Sequence, residues 1–286
     1  MTVFLNGEFL PLAEAKISPL DRGFLFGDGV YEVIPVYAGK LFRGDEHLQR
    51  LQSSLDGIRL KNPHTMEQWH EILNQLIAHQ PFDSQSIYLQ VSRGTYSKRE
   101  HSFPHTISPT VFIMSTELNT AEISTQHEGV CTITRPDNRW QQCDIKATTL
   151  LANILLRQQA TDHNCAETIL FRDGRVLEGA ASNVFIVKYG IIRTPARNQQ
   201  MLTGITRDLI LEIAALHDIE ADEESITLEQ LLDADEVWIT SSTKEILPVI
   251  RVDDTIIGNG KPGLMWQTMI NHYAEYKKKL VAGEIS

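Results

Sequence analysis

Cysteine is scarce in this chain: Cys131, Cys143 and Cys165 are the only three among 286 residues. Their odd number and lack of metal-ligand spacing argue against a disulfide framework or a zinc cluster, and reduced thiols in a cytoplasmic protein are the expectation. The ten histidines are scattered. His101 and His105 have helical spacing, but Pro104 between them breaks the helix a metal pair needs, so no metal site is expected. Basic charge is also short, with 26 Lys and Arg against 37 Asp and Glu and a net charge of -11. That excludes the basic surface of a nucleic-acid binder. No apolar run approaches the roughly 18 residues of a membrane span. The opening MTVFLNGEFLPLAEAK has no basic segment followed by an apolar one, so no secretory signal is expected. The glycine patterns G-x-x-x-x-G-K-[ST] and G-x-G-x-x-G are missing, and a nucleotide phosphate is not indicated.

What is present alternates between strand and helix patterns. VFLNGEFL predicts a hairpin turning at Asn6-Gly7, and GVYEVIPVYAGKLF two strands turning at Ala38-Gly39. Leu48, Leu51, Leu55 and Ile58 recur at helical spacing and predict a helix opening near Asp45. A second helix is predicted over Met66 to His79, followed by the strands SIYLQVSRG and TVFIMSTE. These segments make a smaller α+β domain over residues 1–118. The polar stretch after it is the expected linker, 119–125. In the larger domain, 126–286, GVCTITRP predicts a strand. TTLLANILLRQQATDH predicts a helix with Leu151, Ile154 and Leu155 inward. ETILFRDGRVLEG predicts a hairpin turning at Asp173-Gly174, and NVFIVKYGIIRTP another turning at Tyr189-Gly190. GITRDLILEIAALHDI reads as a helix, DEVWITSS as a strand, and Pro262 to Leu280 as the last helix. The fold class is α/β, as two mixed α+β lobes, and a cleft between lobes is a common cofactor site.

Several groups in this frame can carry chemistry. Lys146 precedes an apolar helix, whose dipole would favour the neutral, nucleophilic amine; alone, a lysine there is ordinarily a solvated surface group. Glu178 ends a strand beside the small-residue run GAASN and can face a ligand or solvent. Leu202-Thr203-Gly204-Ile205-Thr206 leads into a helix, so backbone N–H groups and the Thr206 hydroxyl can meet one anion; a plain N-cap reads the same way. Thr240-Ser241-Ser242-Thr243 follows a buried strand and offers hydroxyl donors or a turn. Arg50, and Arg99 with His101 in the loop RGTYSKREHSFP, are candidate ligands for phosphate and carboxylate.

The segments DRGFLFGDGVYEV, EHLQRL, YLQVSRGTYSKREHSFP, RWQQCDIKATTLLAN, LEGAASNVF, MLTGITRD and ITSSTKEILPV resemble, in order and over nearly the whole chain, the D-amino acid aminotransferases. These are pyridoxal 5'-phosphate enzymes of fold-type IV architecture, with the cofactor in the inter-domain cleft. The resemblance implies that Lys146 is the Schiff-base lysine and proton carrier, and that Glu178 bonds the pyridine nitrogen. It assigns Arg50, Ile205, Thr206 and Ser242 to the phosphate and Tyr31, Arg99 and His101 to the substrate α-carboxylate. It also implies a homodimer with shared active sites, Arg99 and His101 coming from the partner subunit. Glu178, as an anion beside the ring nitrogen, would favour the protonated ring and its role as an electron sink. Ping-pong transfer between a D-amino acid such as D-alanine and a 2-oxo acid such as 2-oxoglutarate is the implied reaction.

The chain departs from the family pattern at three points. The loop before Arg99 is one residue longer, which makes Lys98 a rival carboxylate ligand. Ala181 stands where a serine is usual, and Thr148-Thr149 replaces Leu-Asn. Two related readings on the same fold are a branched-chain L-amino acid aminotransferase, whose lysine is usually followed by Gly-Gly-Asn, and an aminodeoxychorismate lyase, which would not need the Arg99–His101 pair in this form.

Overall fold

Alternating apolar residues along the first third of the chain need one buried face, and two amphipathic helices supply the cover. In a computed structural model, which describes residues 1–119 and 128–285, the chain divides into two compact units. The first holds Met1–Leu118 together with Ile145–Leu150. Its six strands are β1 (Thr2–Leu5), β2 (Glu8–Pro11), β3 (Gly29–Tyr37), β4 (Lys40–Leu41), β5 (Ser84–Ser92) and β6 (Thr110–Glu117). They form an antiparallel sheet in the order β2-β1-β6-β5-β3-β4. Its helices are α1 (Arg22–Phe26), α2 (Gly44–Gly57) and α3 (Met66–Ala78). Leu48, Leu51 and Leu55 of α2 and Trp69, Leu73 and Leu76 of α3 are buried with Ile34, Ile87 and Ile113 in one core. Ile58 lies just past the end of α2 and packs against that core part-buried. A reciprocal cap between Thr65 and Gln68 starts α3 where the sequence predicts it.

The second unit runs over Asn119–Asp144 and Leu151–Ile285. It contains β7 (Val130–Pro136), α4 (Leu151–Asp162), β8 (Glu167–Arg172), β9 (Arg175–Gly179), β10 (Asn183–Lys188) and β11 (Ile191–Thr194). It continues with α5 (Ile205–Leu216), β12 (Ala221–Glu223), α6 (Leu228–Leu232), β13 (Glu236–Ser241), β14 (Glu245–Val252), β15 (Thr255–Ile256) and α7 (Leu264–Ala282). The sheet is mixed, in the order β12-β11-β10-β13-β14-β7-β8-β9, with β15 on β14. Helix α4 makes the crossover between the parallel strands β7 and β8, as parallel pairing requires a long connection. The four hairpin turns predicted from the sequence, Asn6-Gly7, Ala38-Gly39, Asp173-Gly174 and Tyr189-Gly190, all have positive φ at both central residues, the geometry that matches strand twist. Among the described residues no helix is long and apolar enough to cross a membrane. The three cysteines are unbridged.

Three expectations change. The first concerns α4, where Leu151, Ile154 and Leu155 are 70%, 60% and 56% exposed, not inward. The buried positions are Leu156, with Leu170 and Ala180, and Ala160, with Ile133 and Cys165. The helix carries two apolar stripes, and periodicity does not say which one the sheet takes. The second concerns Lys146, expected in the larger domain at a helix start. The segment Ile145–Leu150 belongs to the first unit, and Lys146 precedes α4 without entering its first turn. A helix dipole acts within that turn, so it is not what sets the lysine's character. The third concerns the expected linker, 119–125, of which only Asn119 lies within the described residues.

Short polar contacts tie the Lys146 segment to the first unit. Thr148 Oγ1 donates to Gly27 O at 2.9 Å and Thr148 N to Gly29 O at 3.0 Å. Gly27 ends α1 with φ +67°, and a Cβ there would lie 2.5 Å from Thr149 Cγ2. Gly27→Ala is therefore expected to destabilise the protein by about 2 kcal/mol or more, combining left-handed strain with a clash. Urea unfolding of wild type and variant measures it.

Candidate active site

Lys146 is held through its backbone. Tyr31 N donates to Lys146 O at 3.0 Å, Lys146 N donates to Ser54 Oγ at 3.1 Å, and Ala147 forms a bridge with Val30. This pairing extends β3 sideways, which places the half-buried lysine with Nζ 4.4 Å from the centroid of the Tyr31 ring. The next residue on β3, Glu32, points to the opposite face, because strand side chains alternate, and is fully buried. A buried carboxylate needs partners, and α2 supplies two. Arg50 donates from Nε to Glu32 Oε1 at 2.7 Å and from Nη2 to Oε2 at 2.8 Å. His47 Nδ1 lies 2.8 Å from Glu32 Oε2. Burial pushes the Glu32 carboxyl up, but the charge and hydrogen bonds of Arg50, with those of His47, outweigh it and hold the carboxyl well below the usual range. An ionised carboxylate only accepts, so His47 Nδ1 carries the proton between them. Burial lowers the His47 pKa, and the positive charges of Arg50 and Lys146 lower it further against the pull of Glu32. Glu32 thus sets the direction of the Arg50 fork.

The other two substrate candidates of this unit, Arg99 and His101, lie with the rival Lys98 on the loop after β5. Lys98 Nζ is 3.8 Å from Glu100 Oε1 and its side chain is 66% exposed. Arg99 and His101 instead gather on one ring: the Arg99 guanidinium lies 5.2 Å from the Phe26 centroid and the His101 ring 5.4 Å from it.

Within the second unit, Glu178 is buried on β9. It accepts from Arg139 Nη1 at 2.6 Å through Oε1, and from Leu202 N at 3.0 Å through Oε2. Arg139 is itself gripped by Asp137, through Nε at 2.9 Å and Nη2 at 3.1 Å, and Arg172 Nη2 donates to the same Asp137 at 3.1 Å. Burial pushes the Glu178 carboxyl up to about 7, against the opposing pull of Arg139 and the Leu202 N–H. Leu202 also accepts from Asn183 Nδ2 at 2.8 Å, and leads through Thr203 and Gly204 into α5. That helix starts at Ile205 and Thr206, both buried, with no side-chain cap on its N-terminus. A Cβ at Gly204 would run into Asn183 Oδ1. Across the sheet from Asn183 sits Thr240, whose buried Oγ1 has no hydrogen-bond partner among the described residues. Ser242 follows in the turn after β13.

An uncapped helix N-terminus of three turns attracts anions through its N–H groups and dipole. A buried hydroxyl without a partner, one strand away, is a further donor of the type a phosphate takes. These observations fit the donor set that pyridoxal phosphate needs, with Glu178 available for a ring nitrogen. Glu32, His47, Ser54, Asp137 and Arg139 were not singled out from the sequence, and Thr240 only as one of a hydroxyl run. One signal was readable for Glu32: an acid inside the apolar strand GVYEVIPVY must find a buried cation.

Comparison with known proteins gives the family. The chain belongs to the class IV aminotransferases, whose family model matches residues 29–252. It is 38% identical over 274 residues to D-alanine aminotransferase of Staphylococcus aureus (strain N315), covering 96% of this chain and 97% of that protein. It is 37% identical over 276 residues to D-alanine aminotransferase of Listeria monocytogenes serotype 1/2a (strain 10403S), covering 96% of each. Among solved structures, the branched-chain amino acid aminotransferase from Escherichia coli superposes with a TM-score of 0.89 at 27% identity, over 100% of this chain and 95% of that one. The fold is the fold-type IV architecture, and the chain is an aminotransferase.

The raised Glu178 pKa has a signed consequence. Ionising a group whose folded pKa exceeds its ordinary 4.5 weighs against folding, so Glu178 makes the cofactor-free protein less stable as pH rises from about 4.5 to about 7. Arg139→Met removes the cation that opposes this and is expected to extend the decline above pH 7. Urea midpoints at half-unit pH steps measure the window, which Glu178→Gln should flatten.

Proposed function

We propose that this enzyme is a pyridoxal phosphate-dependent D-amino acid transaminase, passing the amino group of D-alanine to 2-oxoglutarate to give pyruvate and D-glutamate. The observation that carries this reading is end-to-end identity of 37–38% with D-alanine aminotransferases, against 26–28% for the branched-chain enzymes that share the fold. The lysine context of this chain, Lys146-Ala147-Thr148-Thr149, also lacks the Gly-Gly-Asn of the branched-chain pattern.

When bound, the cofactor supplies an aldehyde for the amine and a ring that withdraws electrons. The protein's part follows from its own residues. Lys146 Nζ carries the cofactor, and on release moves the proton at the substrate Cα. Glu178 accepts from the ring nitrogen and favours its protonated form, with Arg139 pulling that carboxyl towards ionisation against its burial. The N–H groups of Ile205 and Thr206, the Thr206 and Ser242 hydroxyls and the Arg50 guanidinium, braced from behind by Glu32, hold the phosphate, and Thr240 Oγ1 joins them. Tyr31, Arg99 and His101 bind the α-carboxylate, and the packing of Arg99 on Phe26 favours it over Lys98. The working unit is a homodimer. The exposed apolar face Leu151, Ile154 and Leu155 on α4 supports a protein partner, since contiguous exposed apolar surface marks interaction sites.

Purified protein loaded with pyridoxal phosphate is expected to form pyruvate from D-alanine and 2-oxoglutarate and to leave L-leucine unreacted. Turnover of L-leucine alone would overturn the reading. Lys146→Ala should abolish the visible absorption of the bound cofactor and lower kcat by about 10³-fold or more, on the scale of a lost proton-transfer group. Ile154→Glu should shift the species seen by analytical ultracentrifugation from dimer to monomer; a dimer retained would remove α4 from the interface.

A further inference from the structure

The ring of Phe26 stands outside the apolar core of its unit, and its surroundings are cationic rather than apolar. The guanidinium of Arg22 lies 4.9 Å from its centroid and that of Arg99 5.2 Å, and the His101 ring is at 5.4 Å. Such groups repel one another when charged, and an aromatic face offsets that repulsion through its quadrupole. Arg22 does more than touch the ring. It is only 3% exposed, and its donors grip the backbone of the same loop: Nη1 to Glu100 O at 2.6 Å and Ser102 O at 3.4 Å, Nη2 to His101 O at 3.2 Å. Its Nε donates to Asp28 Oδ2 at 2.8 Å, an oxygen that also accepts from Arg93 Nε at 2.8 Å. Arg93 is fastened in turn to Ile58 O at 2.7 Å and lies 3.7 Å from the centroid of Phe103, further along the same loop. The loop backbone is therefore clamped at three consecutive carbonyls, and its two functional side chains rest on one aromatic ring.

We propose that Phe26 is the positioning residue of the carboxylate-binding pair, its ring holding Arg99 and His101 ready for substrate while Arg22 fixes the loop that bears them. This rests on the reading of Arg99 and His101 as the ligands of the substrate carboxylate. Pre-orienting two long side chains before binding lowers the cost of ordering them when substrate arrives. The effect belongs to binding, and the chemical step at Lys146 is untouched. Arg22 itself is not a substrate ligand, because its donors are committed to Asp28 and the loop.

The test compares Phe26→Leu, which keeps an apolar side chain and loses the ring face, with Phe26→Tyr, which keeps both, in the loaded enzyme. For Phe26→Leu, KM for D-alanine and the inhibition constant of acetate should each rise about 5-fold, the scale of one or two cation–π contacts, with kcat within about two-fold of wild type. Phe26→Tyr should restore both constants. In the cofactor-free protein, trypsin should cleave after Lys98 and Arg99 faster in Phe26→Leu than in wild type. Arg22→Lys, which keeps the charge but loses the fork across the three carbonyls, should give the same split and serves if Phe26→Leu does not fold. Unchanged constants for Phe26→Leu and Arg22→Lys, alongside raised ones for Arg99→Ala, would overturn the positioning role alone. Unchanged constants for Arg99→Ala would overturn the carboxylate reading and this proposal with it. A loss of kcat at constant KM would also overturn it.

Discussion

The placement of Lys146 depends on a short stretch of backbone pairing made far from its neighbours in sequence. Tyr31 donates to the lysine carbonyl, Ser54 accepts from the lysine N–H, and Thr148 reaches Gly27 and Gly29. Each bond is modest on its own. Together they fix the backbone on both sides of one side chain, so the amine has a defined origin beside the Tyr31 ring. A lysine on a free loop would spread over many rotamers and lose reach and direction. Strand pairing removes that freedom without using the ammonium group.

The two buried carboxylates show how surroundings divide similar groups into different roles. Glu32 has two cationic or imidazole partners on α2, and their combined pull exceeds the penalty of burial. It stays charged across the physiological range and acts as a strut for Arg50. Glu178 has one guanidinium and one N–H, and burial wins, leaving its carboxyl near neutrality. A group balanced in that way responds to any further charge placed beside it. Arg139, Asp137 and Arg172 form the chain of contacts that sets the balance.

Much of this was legible in the residues. The hairpin dipeptides Asn6-Gly7, Asp173-Gly174 and their two counterparts announce their own geometry, because few residues accept positive φ twice in succession. Leu48, Leu51 and Leu55 declare the buried face of α2. Periodicity did not decide α4, where Leu151, Ile154 and Leu155 make as good a stripe as Leu156 and Ala160. Which stripe is covered depends on Ile133 of β7, Leu170 of β8 and Ala180 just after β9. The same limit hid Arg139 and Arg22: a guanidinium among polar neighbours reads as surface until the fold brings Glu178 or the 100–102 carbonyls to it. The short helix α1, five residues long, is below the length at which a periodic pattern can be counted. The position of Lys146 was legible only as a residue type in a motif, since its strand partners lie more than a hundred residues upstream, and its assumed helix dipole turned out to belong to a turn it does not enter.

The first unit is discontinuous: residues 145–150 complete a body otherwise built from the first 118. Proteins are made from the N-terminus and fold domain by domain as they emerge. This one cannot finish its first body on that schedule. β3 must wait, with the Tyr31 N–H and the Gly27 and Gly29 carbonyls unpaired, while the chain passes through the opening of the second unit and returns. Gly23 and Gly29 pack tightly on Ser92, so the rest of that edge can assemble early and hold the place open. Emergence of residues 145–150, rather than collapse of the N-terminal core, then sets the earliest moment at which the lysine acquires its surroundings. A chain truncated before residue 145 would lack this lysine however well its first sheet formed.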